Sequence, residues 1–175
     1  MALDTFMVIA NQYDNETDAL ADFESVRRVY HDMGIIDTYD AAVLTRRPDG
    51  KVEIVKRVEQ PTRHGAKRGL GVGLAVGAIM ALLPGVGLAA GLLAGGLTGA
   101  GSGAIAGHVT GGMKTSDLKD LGKVLETGTS GLVVIAASDM EAKVEEAITR
   151  AKKRAKAQLQ ADTKAMMRSI EEAAD

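Results

Sequence analysis

The stretch GLGVGLAVGAIMALLPGVGLAAGLLAGGLTGAGSGAIAGHVTGGM, residues 69–113, contains no Asp, Glu, Lys or Arg and holds 15 of the 21 glycines in the chain. Within it, seven glycines recur at every fourth position: Gly87, Gly91, Gly95, Gly99, Gly103, Gly107 and Gly111. On a helix this spacing gives one slowly drifting stripe, because four residues turn about 400° at 3.6 residues per turn. Such a stripe removes the side chains that keep helices apart. We therefore predict a glycine zipper in which these seven residues are oligomer-packing contacts.

The stretch also predicts a hairpin of two helices. Pro84 breaks the helical pattern and Gly85 allows a turn directly after it. The two arms, residues 65–83 and 86–113, would be about 28 and 42 Å long as helices. Each glycine inside a helix costs about 0.8–1 kcal/mol relative to alanine. The arms therefore need a partner helix or a lipid environment that leaves the backbone no other hydrogen bonds.

Two environments fit this hairpin. Both arms are long enough for a hydrocarbon core of about 30 Å, and basic residues flank both ends, which places both ends in the cytoplasm by the positive-inside rule. These residues are Arg63, His64, Lys67 and Arg68 before the arms, and Lys114 and Lys119 after them. The absence of an aromatic belt and the high glycine content favour the alternative, a hairpin buried between subunits of a soluble cage, ring or filament.

The flanking sequence predicts an α+β domain. Strand patterns cover residues 5–10, 39–46, 51–58 and 131–137, and helical patterns cover residues 16–33 and 116–125. Without the glycine-rich segment, the order is strand, helix, strand, strand, helix, strand, which is typical of a ferredoxin-like βαββαβ sandwich with both helices on one face. We predict that residues 1–60 and 114–138 form this domain and that residues 61–113 are an inserted hairpin.

The remaining residues, 139–175, predict a long C-terminal amphipathic helix. Its apolar positions recur mostly every four residues, from Met140 through Val144 and Ile148 to Ile170. One side would carry a basic cluster able to contact an anionic surface: Arg150, Lys152, Lys153, Arg154 and Lys156. The alternative is a solvated face of a helix that packs on a neighbouring subunit, which the nearby glutamates favour.

The composition points away from several kinds of chemistry. The chain has no cysteine, which excludes disulfides and thiolate metal sites. His31, His64 and His108 have no carboxylate at ligand spacing, so we expect no metal site. Residues 101–107 and 107–115 imitate phosphate-binding loops, but the first has no preceding strand and the second lacks the Gly-Lys pair. We expect no cofactor, no catalytic residue and, at a net charge of -2, no nucleic-acid partner.

The chain resembles a known bacterial family in three segments. These are the hairpin YDAAVLTRRPDGKVEI at 39–54, the glycine-rich apolar insert, and SDLKDLGKVLETGTSGLVVIA at 116–136. Together they resemble the family catalogued as domain of unknown function 1269, whose members are commonly labelled membrane proteins. The resemblance implies a ferredoxin-like fold with an internal apolar hairpin, and it implies no reaction.

These observations favour a non-enzymatic protein that assembles with itself through the glycine zipper. We expect it on the cytoplasmic side of the cell membrane, with membrane lipid as a second partner, or in the cytoplasm if the hairpin is buried in a soluble assembly. A regulator that binds a lipid or a small molecule on the ferredoxin-like sheet is a further alternative.

Overall fold

The computed structural model describes residues 4–34, 39–48, 52–57, 112–126 and 129–161. They form a mixed α/β domain built on a five-stranded sheet in which every neighbouring pair is antiparallel. The strands are β1 (Asp4–Tyr13), β2 (Tyr39–Arg46), β3 (Val52–Arg57), β4 (Ser130–Ala137) and β5 (Lys153–Ala161). The helices are α1 (Glu16–Met33), α2 (Thr115–Glu126) and α3 (Glu141–Ala147), and a 3-10 turn, Ser138–Met140, precedes α3.

The strand order across the sheet is β3-β2-β4-β1-β5. Two strongly apolar runs of the sequence, residues 6–10 and 132–136, lie in β1 and β4, which pair with each other from Phe6–Ala137 to Tyr13–Ser130. Seven of the eight residues of β4 are buried. Because helices cover both faces of the sheet, its central strands are apolar on both sides instead of alternating with polar residues.

The helices divide between the two faces of the sheet. Phe23 and Val26 of α1 and Val144 of α3 pack on one face, against alternate residues of β1, β2 and β4. Leu121 and Leu125 of α2 pack on the opposite face. The prediction that the first and second helices share a face is therefore wrong. Successive strand residues point to opposite faces, and both faces of β4 are apolar, so the sequence pattern did not indicate which face each helix covers.

The ends of α1 agree with the sequence. The Asn15 side chain accepts a hydrogen bond from the Asp18 backbone N–H at 2.8 Å and caps the first turn. Gly34 follows the last turn with a φ of 70°, in the left-handed region that glycine tolerates best. The predicted bounds of the β2–β3 hairpin and of α2 are also confirmed within one residue.

The predicted single helix over residues 139–175 is wrong in the part of the chain that the structure describes. There, α3 ends at Ala147 and the edge strand β5 occupies Lys153–Ala161. The apolar positions Ala151, Ala155 and Leu159 are four apart, a spacing that keeps residues on one face of a strand as well as of a helix. Nine successive residues of this segment pair with β1, so the segment forms a strand. The α/β domain therefore continues to residue 161.

Candidate functional site

The candidate site is the end of the sheet where the glycine-rich insert joins the domain. This end, called the insert end below, lies at Thr5, Tyr39, Ala137 and Gln160. The register joins these positions, since Thr5 pairs with Gln160, Phe6 with Ala137, and Tyr39 with Ala136. The opposite end, called the far end, lies at Tyr13, Arg46, Ser130 and Lys153.

The chain leaves the described domain in the direction of the insert end. β3 begins with Val52 opposite Arg46, at the far end, and finishes with Arg57 opposite Ala42. Ala42 lies only three residues from the first residue of β2, Tyr39, which marks the insert end. The last described residues of β3 therefore run toward the insert end.

The chain returns to the domain at the same end but at the opposite edge of the sheet. Gly112 lies so close to β5 that an added Cβ would overlap the carbonyl oxygen of Gln160 and approach Leu159 Cδ1 to 2.9 Å. The next residue, Met113, is 7% exposed and belongs to the hydrophobic core beside Leu121 and Leu159. The return point is thus anchored in the core by a buried side chain and a glycine that the contact requires.

The first attachment point follows the edge strand β3, and the second, Gly112, lies against the opposite edge strand β5. β3 and β5 are the first and last strands of the sheet, with four strand spacings between them. At about 4.8 Å per spacing, they are about 19 Å apart across the sheet. Residues 58–111 bridge this distance and lie outside the described residues. The predicted zipper glycines and the turn residues Pro84 and Gly85 belong to this segment, so their roles stay predictions.

A shallow cleft of about 360 Å³ lies beside the return point. Its lining mixes one cation, one carboxylate and two amides: Gly112, Lys114, Asp117, Gln158 and Gln160. Within the described ranges, no group of three or more His, Asp or Glu side chains could hold a metal ion. His31 is exposed in the last turn of α1, and His64 and His108 lie outside the described ranges.

The predicted basic cluster does not form one surface. Arg150 and Lys152 lie in the connection between α3 and β5, and the other three residues lie in β5. Lys153 pairs with Gln12 at the far end. Arg154 and Lys156 point to the face of the sheet that α1 and α3 cover, while Lys153 points to the other face, because side chains alternate along a strand. The predicted contact with an anionic surface assumed that all five residues lie on one face of a helix, and this assumption does not hold.

Three of the five basic residues are held by buried or half-buried partners. Arg150 Nη1 lies 3.1 Å from Asp22 Oδ1, and Asp22 is fully buried. Arg154 donates to Asn11 Oδ1 at 3.0 Å and to the Ile148 carbonyl at 2.7 Å. These contacts attach the start of β5 to β1, α1 and α3.

Lys156 makes the third internal contact. Its ammonium lies 2.5 Å from Glu141 Oε1 and 2.7 Å from Glu145 Oε1. Hydrogen bonds to Glu141 and then to Glu145 raise the pKa of Lys156 above its ordinary value. Lys152 lies 3.5 Å from Asp14 in an exposed pair, and Lys153 is exposed. Most of the five basic side chains thus contact polar groups of the same domain.

The sequence analysis missed a buried polar group around Asp22. The Tyr13 hydroxyl donates to Asp22 Oδ2 at 2.8 Å, and the backbone N–H of Arg150 donates to the same oxygen at 2.9 Å. Burial, and next the negative charge of Asp22, raise the pKa of Tyr13. A signal for this group exists in the sequence, because Asp22 falls between Ala19 and Phe23 on the apolar face of α1, where an unpaired carboxylate would be costly.

Comparison with known proteins gives no relative. No family model matches the chain, and neither a curated protein nor a solved structure is similar to it. Among the helices in the described residues, none is both long and apolar enough to cross a bilayer.

Proposed function

We propose that this protein is a non-enzymatic self-assembling protein. In this proposal the α/β domain carries the glycine-rich insert, and the insert packs against the inserts of other copies through its glycine stripe. The insert enters the cytoplasmic membrane as a hairpin, and the domain stays on the cytoplasmic side.

One observation carries the proposal: β3, the last described strand before the insert, runs toward the end of the sheet at which Gly112 rejoins it. A helical hairpin returns to the side from which it starts, so its two ends need attachment points on one side of the domain. β3 runs toward the insert end, and Gly112 rejoins the sheet there. The apolar composition of residues 69–113 supports burial of the hairpin away from water.

The domain itself is best explained as a ferredoxin-like unit, but the strands and helices that compose it differ from those that the sequence suggested. β1, α1, β2, β4, α3 and β5 follow the order βαββαβ, and their strands lie in the order β2-β4-β1-β5 with both helices on one face. In this assignment β3, the glycine-rich segment and α2 together form the insertion between β2 and β4. The insertion thus adds an edge strand and the helix that covers the second face.

The contacts of the domain support a scaffolding role over a catalytic one. Asp22 and Arg154 have as partners Tyr13, Asn11, Arg150 and backbone groups of neighbouring elements. Groups that are fully engaged in holding elements together are poorly placed to exchange protons with a substrate. These contacts lie toward the far end of the sheet, where they join β1, α1 and β5.

The test separates membrane insertion from soluble assembly. The full chain is expressed, membranes are washed with alkaline carbonate, and the protein is sized by light scattering without detergent. We expect the chain to stay in the washed membranes, and a variant in which a Gly-Ser linker replaces residues 58–111 to be soluble and monomeric. A large particle in the soluble fraction would instead support the cage, ring or filament, and a soluble monomeric full chain would contradict self-assembly altogether.

A further inference from the structure

In the part of the chain that the structure describes, three exposed segments lie at the insert end. The last residues of α1, His31 to Gly34, are exposed, and so are Ser138 and Asp139 in the 3-10 turn. Lys114, directly before α2, is exposed as well. Among the described residues, Met33 is one of two large hydrophobic side chains that are exposed, at 43%. It lies next to α3, where the Lys143 ammonium contacts its sulfur at 3.7 Å.

We propose that the insert end is a membrane-contact surface and that the domain stands upright on the bilayer, with its strands along the membrane normal. This inference rests on the proposed function and adds the surface that meets the lipid. The contact consists of the C-terminus of α1 with Met33, the Ser138–Met140 turn and the start of α2.

The two attachment points hold the domain in this orientation. A domain tethered at one point can tip over, whereas attachments at β3 and β5, about 19 Å apart, resist rotation in the plane of the sheet. Met113 and Gly112 fix the second attachment to the core, so the return of the chain cannot act as a loose linker. The insert end is therefore the part of the domain closest to the bilayer.

The charges of the insert end indicate a zwitterionic headgroup surface. Among the described residues of this surface, the carboxylates of Asp32, Asp117 and Asp139 outnumber the ammonium groups of Lys114 and Lys143, so there is no excess of cations for anionic lipid. The start of the predicted basic cluster lies far from this surface: Lys153 is seven strand residues from Gln160, or about 23 Å away. That distance is more than two Debye lengths of about 8 Å at physiological salt. Lys152 and Lys153 thus face the solution.

The test measures how close three positions come to the lipid headgroups. The chain has no cysteine, so Met33→Cys, Thr17→Cys and Lys152→Cys each give one labelling site in the full chain. Met33 and Thr17 are exposed residues at opposite ends of α1, about 24 Å apart along the helix. Each variant receives an environment-sensitive fluorophore and is reconstituted in phosphatidylcholine vesicles that contain a lipid with a nitroxide on its headgroup, and flotation of the vesicles reports binding.

We expect the nitroxide to cause loss of fluorescence at Met33→Cys and none at Thr17→Cys or Lys152→Cys, with no change between low and high salt. Equal loss at both ends of α1 would mean a domain lying flat and would overturn the inference, as would loss at Lys152→Cys alone. Protein that floats with the vesicles while no position is quenched would also overturn it, although the proposed insertion would stand. Failure to float would contradict the membrane part of the proposed function and the inference together.

Discussion

Gly112 shows how one residue joins the insert to the domain. Replacing Gly112 by Ala would place a methyl group against the Gln160 carbonyl oxygen, which belongs to the backbone of an edge strand and has little freedom to move. We expect a loss of about 1–3 kcal/mol in the free energy of unfolding, the range for overpacked sites. Gly34→Ala is the comparison, because its Cβ would meet nothing within 4 Å and its cost comes from the positive φ. Urea unfolding that shows no loss for Gly112→Ala would contradict the contact.

Two tyrosines give a second prediction at this scale. The Tyr13 hydroxyl donates to Asp22, whereas the buried Tyr30 hydroxyl has no partner among the described residues. Removing a hydroxyl that bonds a charged group costs about 1.5–3 kcal/mol, but removing a buried hydroxyl without a partner costs nothing or stabilises. Tyr13→Phe should therefore lower the unfolding free energy, and Tyr30→Phe should leave it equal or higher. Urea denaturation of the two variants compares them, and the reverse order would disprove the assignment.

Alkaline pH should unfold the domain through the same two side chains. Burial raises the pKa of both Tyr13 and Tyr30 above the ordinary value of 10.0. The folded state keeps these protons while the unfolded state loses them, so stability is full below about pH 10 and falls above it, by about 1.4 kcal/mol per pH unit for each tyrosine. Tyrosinate absorbance at these positions should therefore appear together with loss of the circular dichroism signal. Ionisation of both tyrosines in a folded domain would contradict their burial.

The helices and strands were predictable where the local sequence pattern is compatible with only one type of secondary structure. The three-and-four spacing, Asn15 and Gly34 define α1 without help from the rest of the chain. β5 was missed because the four-residue spacing of Ala155 and Leu159 is compatible with both a helix and a strand. Pairing with β1 makes this segment a strand, and that long-range pairing cannot be recognised from the local sequence. The contacts of Arg150 with Asp22 and of Arg154 with Asn11 were missed for the same reason, since these partners lie more than 100 residues away.

Replacing the insert tests how far the elements depend on it. A Gly-Ser linker of about 14 residues has a mean reach of about 20 Å, enough to connect β3 with the return point. Replacing residues 58–111 should leave a folded domain, because closing a longer or shorter loop changes stability little. Replacing residues 58–113 removes Met113 from the core and should lower the unfolding free energy by about 2–4 kcal/mol. Circular dichroism and urea unfolding compare the two variants, and equal stability would show that Met113 does not anchor the insert.

At the scale of the whole molecule, the domain and the insert differ in their sequence patterns. The domain is specified by apolar strands and amphipathic helices around two cores on either side of one sheet. The insert carries the property that the domain lacks, a regular stripe of glycines suited to contact between copies. An assembly made through the insert would then be independent of most surface residues of the domain.

The glycine stripe gives the prediction that decides self-assembly. Replacing Gly95 and Gly99 by Leu adds two large side chains to the predicted packing face, and although leucine has the higher helix propensity, it would push the neighbouring helices apart. The matched control replaces Ala90 and Ala94 by Leu, because these residues have the same spacing one position before the stripe. We expect the oligomer mass from light scattering, in detergent or in its absence, to fall for the glycine variant and to stay unchanged for the alanine variant. An unchanged mass for both would refute the zipper, and an equal fall for both would show that the helices pack through a wider surface than the stripe.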